Sequence, residues 1–339
     1  SQVQGLSFAL TDSAGKRALY TLDQQKLQDG SWVKFMVVPS ESASVQDGFD
    51  FEKAVSGSFA ISFAGKADIL LDSVTCNIRQ GQYWRDWLYD YQPQPGDYSI
   101  TVIPDLQEIT AVHPQKLTQM FQWIADNKQK ENMKFAIGLG DLTWNGHRGT
   151  ATNEAETEFS RAAAAFSLLD KVGLPYSNAY GNHDYVPGSP RDTSLFNQYF
   201  PYAKYSQWDS FGGAMEEGKM DNAYFCFTVG KVPYLVMALE FDPSAKVLEW
   251  ANQVAEQHPE HNIIVSTHGY LGYDGERLTP TPSPTTGETG HGEEIWQNFV
   301  KKHKNIFMVL CGHVTNAKDP GSMAWRQDEG EQGNTVTQV

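Results

Sequence analysis

Tyr176-Ser177-Asn178-Ala179-Tyr180-Gly181-Asn182-His183-Asp184 is an apolar run of strand length that ends on residues with chemistry to offer. An Asn amide oxygen can ligate a hard or borderline metal, and the next imidazole can face a substrate oxygen. The Asp can hold that imidazole by its second nitrogen. Alone, the quartet 181–184 could be an Asx-type turn with a solvated histidine. Five similar strand ends elsewhere in the chain decide against that.

Ser99–Pro104 delivers Asp105 and Gln107, and Phe135–Gly140 delivers Asp141. Tyr234–Leu239 ends at Glu240, Ile263–Thr267 at His268, and Ile306–Gly312 at His313. Stretches with helical spacing lie between these runs. After His113-Pro114, Leu117, Met120, Phe121 and Ile124 share one helical face, and residues 154–171, 244–257 and 291–303 behave alike. Tyr224–Thr228 and Val232–Leu239, joined at Gly230-Lys231, read as a hairpin. From Tyr98 on, the pattern predicts an α/β layered domain. In such sheets ligand sites lie beyond the carboxyl ends of the strands, so the strand-end groups should share one crevice.

Two Asp, one Asn and two His, with oxygen and nitrogen donors and no Cys, suit Mn, Fe or Zn, one ion or two. In two-metal sites the ions sit ~3.5–4 Å apart and clamp both the attacking and the leaving oxygen. Asp141 is the natural bridge, because both its oxygens can be used. Gln107 could ligate through its carbonyl or donate to Asp105. Glu240 is expected to orient a ligand or the loop. His147, His291, His113, His258, His261 and His303 read as loop, surface or capping residues.

In order and spacing, Asp105-Leu106-Gln107, Gly140-Asp141, Gly181-Asn182-His183-Asp184, Thr267-His268-Gly269 and Gly312-His313 resemble the motifs of the calcineurin-like metallophosphoesterases. The resemblance spans about 98 to 320. It implies a four-layer β-sandwich flanked by helices, with a dinuclear metal centre at one sheet edge. It also implies that Asp105 binds the first metal, Asp141 bridges, and Asn182, His268 and His313 hold the second. His183, paired with Asp184, would contact the phosphate and help the leaving group depart. Two positions depart from the family pattern. Gln107 stands where the first motif has His, and Thr315 in Gly312-His313-Val314-Thr315 stands where the last motif has a second His. Amide and hydroxyl oxygens bind late transition metals less well than imidazole, so the first site should be weaker, harder, or filled only with substrate present. Only 24 residues follow Thr315, which suggests trimming of the second sheet at the C-terminus.

Residues 1–92 read differently. Runs such as 32–38, 58–63, 69–71 and 74–78 are separated by Gly, Asp and Ser turns, with no helical period between them. They predict a small all-β, sandwich- or jelly-roll-like domain that could hold a glycan or serve assembly, joined through a Pro-rich linker at 91–97. Loops at 206–221 and 270–292 are long enough to be functional rims.

With 339 residues, 20% charged and 12% aromatic, the chain is globular. Its net charge of −15 argues against a nucleic-acid surface, and an anionic substrate would need a local positive centre such as metal ions. No apolar stretch reaches the ~20 residues that span a bilayer. The acidic, aromatic-rich composition favours an exported protein, periplasmic or extracellular. Cys76, Cys226 and Cys311 are far apart, and the last two lie in apolar runs that favour inert thiols. The expected reaction is hydrolysis of a phosphate mono- or diester, on a small phosphorylated molecule or a phosphodiester, by a metal-activated water. No Ser or Cys nucleophile and no P-loop is required. The alternatives are a non-catalytic binding or adhesion protein built on a degenerate phosphoesterase scaffold, and metal-dependent hydrolysis of a different ester.

Overall fold

The computed structural model describes residues 3–22, 44–50, 53–63, 96–148, 152–189, 191–283, 287–315 and 323–339. The predicted runs at 32–38, 69–71 and 74–78, Cys76, the linker residues 91–95 and the side chain of His147 lie outside what is described. The chain divides into two compact units, Ser1–Asp90 and Tyr91–Val339.

In the first unit, β1 (Val3–Asp12), β2 (Arg17–Thr21), β3 (Ser44–Val45) and β4 (Ala54–Phe63) form an antiparallel sheet in the order β3-β2-β1-β4. Alternation carries it: Ala18 and Tyr20 of β2 are buried while their neighbours are exposed. Asp12 closes the first hairpin by accepting the backbone N–H groups of Ala14 and Lys16, both at 2.9 Å. The described part of this unit is all-β, as expected. Among the described residues it is one sheet, with no second layer.

The second unit begins with a parallel three-stranded sheet of β5 (Ser99–Ile103), β6 (Met133–Gly138) and β7 (Tyr176–Asn178). Helices α1 (Gln107–Val112), α2 (Pro114–Asn127) and α3 (Thr152–Lys171) connect these strands. The predicted face of α2 is the buried one, with Leu117, Phe121 and Ile124 in the core. Its Phe121 meets Phe166 of α3 edge-on at 4.6 Å, and Phe166 lies 4.8 Å from Tyr176 of β7, which seats the helices on the sheet.

A seven-stranded sheet follows. Its strands are β8 (Phe211–Ala214), β9 (Ala223–Val229), β10 (Val232–Ala238), β11 (Asn262–Ser266), β12 (Ile306–Leu310), β13 (Arg326–Glu329) and β14 (Thr335–Gln338), in the order β13-β14-β12-β11-β10-β9-β8. β10, β11 and β12 run parallel, and β9 pairs antiparallel with β10 as the predicted hairpin. Phe135 of β6 stacks on Phe227 of β9 at 5.1 Å and 8°, so the two sheets face each other. On the far side of the large sheet, Leu235, Met237, Ile263 and Val265 pack with Val247, Leu248, Ala251 and Val254 of α4 (Ala245–Gln257). Helix, sheet, sheet and helix make the four layers.

Three expectations change. The predicted 206–221 loop contains edge strand β8. The predicted helix 291–303 ends early, as α5 (Gly292–Asn298) and a 3-10 turn at Val300–Lys302. The residues after Thr315 supply β13 and β14, which extend the second sheet.

Candidate metal centre

Five of the parallel strands end at the same place, and backbone hydrogen bonds lock their ends together. Leu106 donates to the Asp141 carbonyl at 2.9 Å, Thr267 to Leu310 at 3.1 Å, and Gly312 to His268 at 2.9 Å. Asp141 and His313 sit at φ 48° and 75°, left-handed backbone that turns each chain sharply as it leaves its strand. Glycines let the turns close. A Cβ on Gly181 would lie 2.0 Å from Asp141 Oδ1, and one on Gly312 would lie 1.9 Å from Asp105 Oδ1.

Asp105, Asp141 and His268 each place a ligand atom within 4.8 Å of the others, in a buried setting. The resemblance assigned Asp105 and His268 to different ions, but the side chains make one cluster that a single ion could reach. His268 is fully buried. Its Nδ1 lies 2.9 Å from the Leu139 carbonyl, which can only accept, so Nδ1 carries the hydrogen. That leaves Nε2, 3.2 Å from Asp141 Oδ2, as the ligand atom. Asp105 holds His313 in place by accepting its backbone N–H at 2.9 Å. The His313 ring lies 5.0 Å from that of His268, and Phe241 lies against both rings at 5.7 and 5.2 Å. Glu288 Oε2 lies 3.8 Å from His313 Nε2.

The electrostatics select a cation here. Burial raises the Asp105 carboxyl, with Asp141 adding to the rise against the pull of His268. For Asp141 burial is again the largest influence and raises, but the His268 charge and hydrogen bond together with the His183 charge and backbone N–H outweigh it and hold the carboxyl below its usual range. Burial alone would lower His268, yet the Asp141 and Asp105 carboxylates push it up to about 10. Burial and then the neighbouring His268 pull His313 down to about 4.

A folded-state pKa above the unfolded 6.5 adds stability that is complete below pH 6.5 and lost as pH rises through 10. Denaturation of the chelator-treated protein should therefore show stability falling by a few kcal/mol, on the order of 1 kcal/mol per pH unit, between pH 7 and 10. His268→Gln should flatten that slope. A wild-type curve that is level across the window would contradict the assignment. Asp184, pushed up to about 7 chiefly by burial, and His313, near 4, change charge at or below the start of that window.

Two expected contacts are different. Asp184 is not seen holding the His183 imidazole. Its Oδ1 accepts the Thr143 N–H at 3.0 Å and the Thr143 hydroxyl at 3.2 Å, and its Oδ2 accepts the Gly181 N–H at 2.8 Å. It braces the loop instead. The carbonyl of Trp144 takes the place expected for Asp184, 3.0 Å from His183 Nδ1, with the indole 5.4 Å from the imidazole. His183 Nε2 faces Asp141 Oδ2 at 4.0 Å, and its backbone N–H donates to Asp141 Oδ1 at 3.0 Å. Gln107, at the first turn of α1, donates its amide N–H to Asp141 Oδ2 at 3.2 Å, and not to Asp105.

Asn182 is half-buried, and its Oδ1 is enclosed without a partner among the described residues. Glu240 behaves as an orienting residue: it accepts from Asn222 Nδ2 at 3.0 Å and from the Ser244 N–H at 3.3 Å. Thr315 is exposed. His303, expected as a surface or capping residue, is the buried C-cap of the Val300–Lys302 turn and lies 2.6 Å from Asn252 Oδ1. Trp144, Leu139 and Phe241 were not anticipated. The first two act through backbone carbonyls, which leave no mark in sequence.

Divalent ions fit this donor set. Among the described residues Asp105 Oδ1 and Asn182 Oδ1 are buried without hydrogen-bond partners, and His268 Nε2 has only the Asp141 carboxylate beside it at 3.2 Å, a costly state for polar atoms that a bound cation would relieve.

The sequence profile described as calcineurin-like phosphoesterase matches residues 98–317. The uncharacterized protein YvnB of Bacillus subtilis (strain 168) is 27% identical over 228 residues, which is 66% of this chain and 16% of that protein, so the matched part is a small share of the relative. Among solved structures, "GAP50 the anchor in the inner membrane complex of Plasmodium" aligns over 70% of both chains at 12% identity and a TM-score of 0.36, a likeness too loose to build on. The profile match takes in more than half of the chain and all the strand ends just described, and by it the chain belongs to the calcineurin-like phosphoesterase family.

Proposed function

We propose that this chain hydrolyses phosphate monoesters or diesters with water as the nucleophile, using divalent ions held by Asp105, Asp141, Asn182, His268 and His313, with Gln107 beside them. The observation that carries this reading is the set of enclosed ligand atoms on Asp105, Asn182 and His268, delivered by three different strand ends. Among the described residues the two oxygens are without hydrogen-bond partners and the nitrogen faces only the Asp141 carboxylate. Ions bound there supply Lewis acidity toward phosphoryl oxygens and lower the pKa of water. Asp141 presents both oxygens to the cluster, Oδ1 steadied by the His183 N–H and Oδ2 by Gln107. The Trp144 carbonyl can only accept, so His183 Nδ1 keeps its hydrogen in either charge state. Every proton that His183 gains or loses therefore passes through Nε2, the nitrogen on the Asp141 side. That suits a residue that donates to a departing alkoxide.

The scaffold reading has one specific support: no imidazole stands at Gln107 or at the exposed Thr315. Turnover decides between the two. The purified protein should hydrolyse aryl phosphate mono- or diesters, lose that activity on chelation and regain it with Mn. Activity indifferent to chelator would overturn the metal-dependent reading. Metal bound at the cluster without turnover of either ester class would favour the scaffold.

A further inference from the structure

We propose that Cys226, His258 and His261 form a second metal site that takes one Zn2+ ion, with solvent in the fourth position. One ligand atom from each of the three lies within 4.8 Å of the others.

The fold explains how they meet. Along β9, Phe225 and Phe227 turn toward Phe135 of the small sheet, at 5.7 and 5.1 Å, so Cys226 points to the opposite face, which α4 covers. α4 ends at His258, its C-cap, and the tight turn His258-Pro259-Glu260-His261 closes with the His261 N–H on the His258 carbonyl at 3.1 Å. Asn305 ties that turn down by donating to the carbonyls of Ala255 and His258 at 3.0 and 2.9 Å. The two imidazoles stand nearly perpendicular, 88°, with centroids 5.0 Å apart, and Tyr224 flanks His258 at 5.3 Å. Among the described residues His261 Nδ1 is enclosed without a hydrogen-bond partner, a buried acceptor or donor that an ion would satisfy.

Both histidines were expected to be surface or capping residues; His258 does cap the helix, and both are half-buried. Burial, and then His261, lower His258 below its usual value, which keeps it in the neutral form that ligates. Burial pushes the Cys226 thiol up to about 11, so without an ion it is an inert thiol, as the sequence suggested. Tetrahedral Zn2+ bonds of ~2.3 Å to sulfur and ~2.0 Å to nitrogen place ligand atoms ~3.5 Å apart, which atoms already within 4.8 Å of one another reach by small side-chain adjustments. Binding would release the thiol proton to solvent, so affinity should rise with pH. The site is separate from the strand-end cluster. His261 precedes the start of β11 and His268 follows its end, and five strand residues at ~3.3 Å each lie between them.

Cobalt reports on the two centres differently, because only a thiolate ligand gives a near-ultraviolet charge-transfer band. Titrating the reduced, metal-free chain with Co2+ should produce that band, with a final amplitude of one thiolate-bound Co2+ per chain, and Zn2+ should displace it. It should persist in Asp141→Asn, Cys311→Ser and Cys76→Ser, and vanish in Cys226→Ser. His258→Gln and His261→Gln should each weaken Co2+ binding at least tenfold, with circular dichroism checking that the variants fold. A wild-type chain without the band, a band that survives Cys226→Ser, or unchanged affinity in both folded histidine variants would overturn the proposal. None of these outcomes depends on phosphoesterase activity.

Discussion

Asp141→Asn is expected to lower kcat/KM for an aryl phosphate by about a thousandfold or more while leaving the fold intact. The size follows from what the carboxylate does. A bound divalent ion is worth several kcal/mol of transition-state stabilisation, and each 1.4 kcal/mol is about tenfold in rate. Asn is the right replacement because Asp141 sits at φ 48°, a conformation that Asn tolerates about as well as Asp and that Ala would resist. Its Oδ1 can still accept the His183 N–H, so the 181–184 loop should keep its place. What is lost is the negative charge between His268 and His183, and with it the capacity to offer anionic oxygens to a cation. Metal content after gel filtration, read beside kcat/KM and circular dichroism, checks this. Turnover within a few-fold of wild type would remove Asp141 from the chemistry. In the metal-free variant His268 should also titrate well below its wild-type position near 10, because its chief counter-charge is gone.

The sequence carried the architecture wherever one periodicity ruled. β10 and β11 alternate, with Leu235, Met237, Ile263 and Val265 on one face and Val236 and Ile264 on the other, because helices cover one side and a second sheet the other. α2 shows the 3.6-residue stripe because only one of its faces is buried. β8 was missed for a local reason. Phe211-Gly212-Gly213-Ala214 looks like loop, yet the glycines are there because the Tyr224 ring lies over them, and a Cβ on Gly212 would come within 2.2 Å of it. The site was legible as residue types at strand ends, since Asp105, Asp141 and His268 do meet. Its orientation was not. The groups that set the imidazoles are the carbonyls of Trp144 and Leu139, which any side chain at those positions could have supplied. The nearest sequence neighbour, Asp184, drew the assignment because adjacency in sequence suggests pairing, whereas the turn points its carboxylate back at Gly181 and Thr143.

His183→Asn should separate substrates by their leaving groups. The Asn amide nitrogen occupies roughly the place of Nδ1, so it can still donate to the Trp144 carbonyl, while everything at Nε2 disappears. If His183 delivers its proton from Nε2 to the departing oxygen, the loss should track how badly that oxygen needs one. General acid catalysis contributes about 10²- to 10⁴-fold, so alkyl or phenyl esters, which leave as strongly basic oxyanions, should lose activity in that range. A nitrophenyl ester leaves without help and should lose far less. A plot of log kcat/KM against leaving-group pKa should therefore be steeper in the variant than in the wild type, with metal content unchanged. Equal losses on both substrates would assign His183 to charge stabilisation alone, through an imidazole 4.0 Å from Asp141. Full activity on both would mean that the proton comes from solvent, and that the Trp144 clamp orients the ring for packing and not for proton transfer.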